Sequence, residues 1–159
     1  RSQGTEFPFE LGGEIPTQDI LGEAVSFDKV TLSGTYNAAG KSVLIMGRLT
    51  ATAKARCFKC LEPAQAQLTA PFRETFVQDG DPEDPDNFAF QGTNLELSHL
   101  ALSLAILNLP MRFLCREDCK GLCPVCGKNL NMEQCTCRKE SREKHPFEAL
   151  QTLFKDEEV

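Results

Sequence analysis

Residues 114–138 read LCREDCKGLCPVCGKNLNMEQCTCR. Six of the chain's eight cysteines fall in the 23 positions from Cys115 to Cys137, spaced C-x3-C-x3-C-x2-C-x8-C-x-C. An even cysteine count is compatible with disulfides, as in small secreted domains. The local geometry argues against them, because a bridge across Cys135-Thr136-Cys137 would fall outside the normal Cα and Cβ range. Cys123-Pro124-Val125-Cys126 reads as a tight turn with two inward thiolates. Gly127 behind it tolerates the left-handed backbone that such turns often need. Cys135 and Cys137 are two apart, so on an extended segment they share a face. Two thiolates from a turn and two from a strand make a closed tetrahedral site with metal–sulfur distances of about 2.3 Å. Zinc is the default metal, and an iron–sulfur cluster is the other chemistry that four cysteines hold.

Cys57, Cys60, Cys115 and Cys119 remain. Cys57-x2-Cys60 is a second two-thiolate bite. Cys115-x3-Cys119 can be a third on a helical turn, where i and i+4 share a face. Together they would close a second site and clamp a hairpin to the cysteine-rich module. In the rival grouping Cys119 competes for the first ion and leaves a free pair, so the count is one or two zinc ions per chain. Cys57-Phe58-Lys59-Cys60 also has the spacing of a catalytic dithiol, but that chemistry works at a helix N-terminus. Leu61-Glu62-Pro63 follows instead, and no helical pattern comes after it. A catalytic zinc needs an open position and usually His or carboxylate ligands, and neither histidine lies in such a motif. No enzyme is expected.

The chain has 159 residues, enough for a core with a small appendage. No apolar run approaches the roughly 20 residues of a membrane span, and no signal-peptide pattern opens the sequence. Reduced cysteines without an export signal point to the cytoplasm. The net charge of −6 makes the protein as a whole no magnet for nucleic acid. Residues 111–145 run the other way, at +3 by formal count. A zinc tetrathiolate, at about −2, would nearly cancel that excess.

Composition and periodicity divide the chain into four parts. Residues 1–24 read as an irregular or edge segment, with Phe7, Phe9, Ile15 and Leu21 among glycines and prolines. Residues 25–110 read as a β-rich core. In it, 25–36 and 42–56 form a hairpin about a turn at Asn37-Ala38-Ala39-Gly40, and 64–77 return as one or two strands. Pro71 suits an edge or a bulge. Residues 79–86, DGDPEDPD, read as a solvated loop. Residues 95–107, LELSHLALSLAIL, read as a largely buried helix capped by Asn94 and bounded by Pro110, with His99 on its polar stripe. Residues 111–145 form a zinc-binding module. Its seven large apolar side chains are too few to fold it alone against about 1–2 kcal/mol per ordered residue, so metal is required. Residues 146–159 carry a short helix with Phe147, Leu150, Leu153 and Phe154 on one face, then an acidic tail. The class is α+β: an antiparallel β-rich core with one buried helix, a cysteine-rich zinc module and a short terminal helix.

The run CKGLCPVCGKNLN (119–131) followed by CTC (135–137) resembles the C-terminal signature of the YceD-like family. CFKCLEP (57–63), FRETF (72–76), LELSHLALSLAILNLPMRFLC (95–115) and HPFEALQTL (145–153) resemble its upstream and closing motifs. The chain departs from the pattern at HPFEAL, where the family has D-P-R, and at Phe58-Lys59. The resemblance implies a factor linked to accumulation of large-subunit (23S) ribosomal RNA, with plastid relatives, and no known enzyme. The expected function is therefore a non-enzymatic zinc protein supporting 23S rRNA processing or stability, with ribosomal RNA or a ribosome-biogenesis protein as partner and no small-molecule substrate. Arg112, Lys120, Lys128, Arg138 and Lys139 are the candidate phosphate contacts. The alternatives are a redox-sensing zinc switch, in which oxidation of clustered thiolates releases the metal, and an adaptor for a basic protein.

Overall fold

The computed structural model describes residues 5–137. The chain divides into two units, Arg1–Cys119 and Lys120–Val159. The first is strand-rich. Its strands are β1 (Phe7–Gly13), β2 (Gln18–Ile20), β3 (Glu23–Ala39), β4 (Ser42–Arg56), β5 (Pro63–Gln78) and β6 (Phe88–Phe90), followed by one helix, α1 (Ser98–Leu107). The open sheet runs β1-β3-β4-β5-β6, antiparallel except for β5–β6, and β2 pairs with the start of β3.

The long β3–β4–β5 meander carries the fold. Along β4 the odd residues Ile45, Leu49, Ala51 and Ala53 are buried, and along β5 the even residues Ala64, Leu68, Ala70, Phe72 and Phe76. This is the period of two that a sheet with one covered face requires. On β3 the buried residues are Val25 and Phe27, then Val30 and Leu32, so the alternation slips by one residue. A register shift between Asp28 and Thr31 absorbs the slip, with Lys29 at φ 52°. A bulge of this kind keeps all four apolar side chains on the core face. Gly34 and Gly47 lie opposite each other on β3 and β4. A Cβ on Gly34 would collide with the Met46 carbonyl oxygen, and one on Gly47 with that of Ser33. The two backbones approach too closely there for any side chain.

Helix α1 covers β4 and β5. Leu100, Ala101 and Ala105 are buried on its inner side, where the small Ala51, Ala53 and Ala70 of the sheet let it sit close. It is buried along that face only: Ser98, His99 and Leu107 are exposed. His99 stands edge-on to Phe88, with ring centroids 6.3 Å apart. The helix starts three residues later than residue 95, and Leu97 occupies the N-cap with no side-chain cap bond, so Asn94 does not cap it. Leu95 and Leu97 are instead half-buried against the core, ahead of the first helical turn. Asn108 closes the far end through its side-chain amide to the Leu104 carbonyl, 2.8 Å, just ahead of Pro110.

Several expectations need correction. Of the segment read as irregular or edge, Phe7–Gly13 form the edge strand β1 and Gln18–Ile20 form β2. Phe7, Phe9 and Leu11 alternate along β1, with Pro8 tolerated because the strand lies at the sheet edge. The β3–β4 turn falls at Gly40-Lys41, because Asn37 and Ala38 remain paired with Leu44 and Val43. Residues 63–78 form a single strand. Pro71 sits where the far edge of β5 carries no strand among the described residues, since β6 pairs only with Phe76, Val77 and Gln78. In the 79–86 loop, Asp81 and Asp84 accept the backbone N–H groups of Glu83 and Asp86, both at 2.9 Å. The helix and acidic tail expected at 146–159 lie outside the described residues.

Replacing Gly34 by valine should cost at least about 3 kcal/mol, because the obstruction is backbone and has no rotamer to relieve it. Urea unfolding checks this, and a change under about 1 kcal/mol would mean that the two strands can separate without loss.

Candidate metal centres

Cys57 directly follows β4 and Cys60 precedes β5, so the first two-thiolate bite sits at the β4–β5 turn. The Leu61 N–H donates to the Cys57 carbonyl at 2.9 Å, and the Cys57 N–H donates to the Glu62 carbonyl at 2.7 Å. The residue after Cys60 must turn left-handed, and Leu61 does so at φ 63°. In the second unit the turn repeats. The Gly127 N–H donates to the Cys123 carbonyl at 2.9 Å, the Cys123 N–H donates to the Lys128 carbonyl at 2.8 Å, and Gly127 has φ 73°. The two turns therefore share one hydrogen-bond pattern. Glycine takes the left-handed position freely, whereas leucine there is strained.

Each turn is completed by two further sulfurs. Cys57, Cys60, Cys115 and Cys119 form one group and Cys123, Cys126, Cys135 and Cys137 the other, with all sulfurs of a group within 4.8 Å of one another. In the first, Cys57 and Cys119 sulfurs are 3.7 Å apart and those of Cys60 and Cys115 3.6 Å. In the second, Cys135 lies 3.5 Å from Cys126 and 3.4 Å from Cys123. A tetrahedron with arms of about 2.3 Å has edges of about 3.8 Å. These spacings fit a tetrathiolate ion and are far longer than the roughly 2.05 Å of a disulfide. None of the eight cysteines is in a disulfide. The donor sets thus fit a thiophilic metal of tetrahedral preference.

The supporting chain differs from expectation in two places. Cys115 and Cys119 do not share a helical turn; the Cys119 N–H closes a shorter turn onto the Arg116 carbonyl at 3.2 Å. That turn brings both sulfurs to the β4–β5 bite, and the Phe58 N–H bond to the Phe113 carbonyl, 2.9 Å, fixes the two segments together. Cys135 and Cys137 lie on irregular chain rather than a strand, because no neighbouring strand pairs with them among the described residues. The Cys137 N–H donates to the Cys135 sulfur at 3.2 Å instead. Asn129 and Asn131 escaped the sequence reading. The Asn131 side-chain oxygen accepts the Lys120 N–H at 2.8 Å, while Asn129 accepts the Asn131 N–H at 3.0 Å. Their N-x-N spacing beside a cysteine turn was the available signal, since asparagine commonly bonds nearby backbone.

The sulfurs compete for protons. Burial raises the Cys57 thiol, but backbone hydrogen bonds from Cys115, Cys60 and Lys59 outweigh it and bring it to about 6. Desolvation and the neighbouring sulfurs push Cys115 up to about 12. In the second group, backbone bonds from Cys126 and Val125 lower Cys123 to about 6, while the sulfurs of Cys135 and Cys126 raise Cys137 to about 12. One thiolate in each group makes the next harder to form, and a cation removes that conflict. Cys57, Cys60 and Cys119 are buried, whereas Cys126 is exposed and Cys135 and Cys137 half-buried.

The candidate phosphate contacts are scattered over these elements. The Arg112 guanidinium lies 4.6 Å from the Phe58 ring centroid. Lys128 pairs with Glu133 at 3.5 Å, and Lys120 is exposed. Arg138 and Lys139 lie outside the described residues.

The family described as "Large ribosomal RNA subunit accumulation protein YceD" matches residues 45–154, which take in both sulfur groups. The chain belongs to the YceD family. An uncharacterized protein of Mycobacterium tuberculosis is 26% identical over 134 residues, covering 79% of this chain and 65% of that protein. A Zea mays protein named "Large ribosomal RNA subunit accumulation protein YCED homolog 1, chloroplastic" is 25% identical over 115 residues, 52% of this chain and 39% of its own length. Its Arabidopsis thaliana counterpart of the same name is 33% identical over 64 residues, 40% of this chain and 20% of its own length. The chain thus spans 65% of the length of the mycobacterial relative and less of the plant ones. No solved structure matches it. No helix among the described residues is long and apolar enough to cross a membrane.

Two bound metal ions per chain are expected by elemental analysis, one for each sulfur group. Cys123→Ser/Cys126→Ser and Cys57→Ser/Cys60→Ser should each lower the count to one. A single ion in the unaltered chain would mean that one group is no site. Retention should also depend on pH. Cys115 and Cys137, at about 12, carry protons at neutral pH that metal binding must expel, so affinity rises with pH. As pH falls through about 6, Cys57 and Cys123 also protonate and loss should be steepest. Competition with a chromogenic chelator across that range reads the slope, and a flat profile would contradict thiolate ligation.

Proposed function

We propose that the chain is a non-enzymatic zinc-binding factor that supports accumulation, processing or stability of 23S rRNA during large-subunit biogenesis. The YceD match over residues 45–154 carries this reading, since its description, and the printed names of the plant relatives, refer to large-subunit ribosomal RNA accumulation. The chemistry of the two sulfur groups supports a structural rather than catalytic role. Each offers four thiols and neither includes a histidine or carboxylate, so a tetrahedral ion would keep no open position for substrate. Zinc fits better than a redox metal because it binds four thiolates without preferring another geometry or changing oxidation state.

On this reading the metals hold shape, and polar and charged surfaces do the recognising. Crosslinking in cells, with identification of both RNA and protein, is the test, and Cys123→Ser/Cys126→Ser serves as the unfolded-module control. Large-subunit rRNA or its precursors should be recovered with the unaltered chain, and the control reads how much of that recovery depends on the second sulfur group. Recovery of protein alone would replace RNA with a protein partner and defeat direct RNA contact.

A further inference from the structure

The meander has a second face, opposite helix α1, whose side chains the metal sites do not use. On β4 its row is the even residues and on β5 the odd ones. These rows carry Arg48, Lys54, Arg56 and Arg73 and no carboxylate, in a chain whose net charge is −6. Arg48 and Arg73 are both exposed. Arg48 stands opposite Pro71, so Arg73 is its diagonal neighbour, about 7–8 Å away. Neither makes an ion pair among the described residues, whereas Lys54 is paired with Asp28. Beside the arginines, Thr31, Thr50 and Thr69 stand in register straight across β3, β4 and β5. On the neighbouring row Ser33 faces Arg48, with Glu10 of β1 beyond it as the nearest acid in register.

We infer that this outer face of the β3–β4–β5 meander binds double-helical RNA through its backbone, with Arg48 and Arg73 on phosphates and the threonine row on 2′-hydroxyls. The inference rests on the ribosomal-RNA reading above and names the surface that would make the contact. Two observations select the class of ligand. First, the strand aromatics Phe7, Phe27, Tyr36, Phe72 and Phe76 belong to the opposite rows, so the outer face offers no ring on which an unpaired base could stack. Single-strand binders depend on such rings. Second, the face presents the hydroxyls of Thr31, Thr50 and Thr69, the amides of Gln65 and Gln67 and two guanidinium groups, with Met46 opposite Arg73 and Leu44 and Val77 beyond. A-form RNA presents phosphates and 2′-hydroxyls across a wide, shallow minor groove, and the 2′-hydroxyl both donates and accepts. Threonine hydroxyls match that group, and DNA lacks it. Sequence is not read, because the deep, narrow major groove of A-form RNA is closed to side chains.

The test uses fluorescence anisotropy with the full chain. The probes are a labelled RNA duplex of about 16 base pairs, the DNA duplex of the same sequence, and a uridine-rich single strand of that length. The RNA duplex should bind tightest, with affinity falling steeply as salt rises. Arg48→Gln/Arg73→Gln should lower the log–log salt slope by about 2. Arg48→Lys/Arg73→Lys should keep the slope. Thr50→Val/Thr69→Val should shrink the preference for RNA over DNA while leaving the slope alone. All these positions are exposed, and an unchanged thermal midpoint shows that each variant is folded. An unaltered slope in the folded glutamine variant overturns the inference, as does preference for the single strand. Equal competition by poly-glutamate does so too, since an acidic protein would then suit the face as well as RNA. In cells, equal recovery of large-subunit RNA by the glutamine variant and the unaltered chain would sink this face and leave the family-based reading standing. No RNA with either would sink both.

Discussion

Four thiols brought within 4.8 Å of one another cannot all ionise unless a cation sits among them, and this chain builds that situation twice. The constraint shapes everything near it. At the first group, sulfurs from the β4–β5 turn and from residues 115–119 meet, so the chain leaving helix α1 is brought back to the sheet. At the second, a turn of the same hydrogen-bond pattern receives Cys135 and Cys137. Residues 111–145 hold seven large apolar side chains besides cysteine, so the sulfurs replace a core where the chain cannot build one. Structural zinc can contribute on the order of 10–16 kcal/mol to such small modules.

The sheet works by a different physics. One face is apolar and covered by α1; the other is mostly polar, with threonine, glutamine, serine, lysine and arginine beside Leu44, Met46 and Val77. Keeping those rows apart over three long strands needs strict alternation, and the only slip, at Asp28 to Thr31, is repaired by the bulge at Lys29. The same alternation that packs Leu49 and Ala53 inward sets Arg48, Thr50 and Lys54 outward. Core formation and presentation of a polar surface are thus two outcomes of one period.

The two cysteine turns show how local chemistry and long-range placement divide the work. The need for a left-handed residue after the second cysteine was legible at Gly127, because glycine marks it. It was hidden at Leu61, where leucine adopts φ 63° in the same bonding pattern. The strands at 42–56 and 63–78 were visible through their alternation. Phe7, Phe9 and Leu11 alternate as well, but Pro8 and the neighbouring glycines obscured β1, whose pairing comes from β3 rather than from its own sequence. The helix start was misplaced for a related reason: Leu95 and Leu97 pack on the core instead of continuing the helical period.

By itself, the sequence determined the thiol donors, the tight turn at Cys123–Cys126, the β3–β4 hairpin and the family signature. These depend on neighbours a few residues apart, where spacing and side-chain type are sufficient. Only the tertiary structure decided that Cys115 and Cys119 join Cys57 and Cys60. The partners lie 55 and 62 residues apart in the chain, and any grouping of four thiols satisfies the same coordination rule. Only the tertiary structure also aligned Thr31, Thr50 and Thr69. A one-residue change of register would turn each strand over, and register is set by the whole buried face rather than by any strand alone.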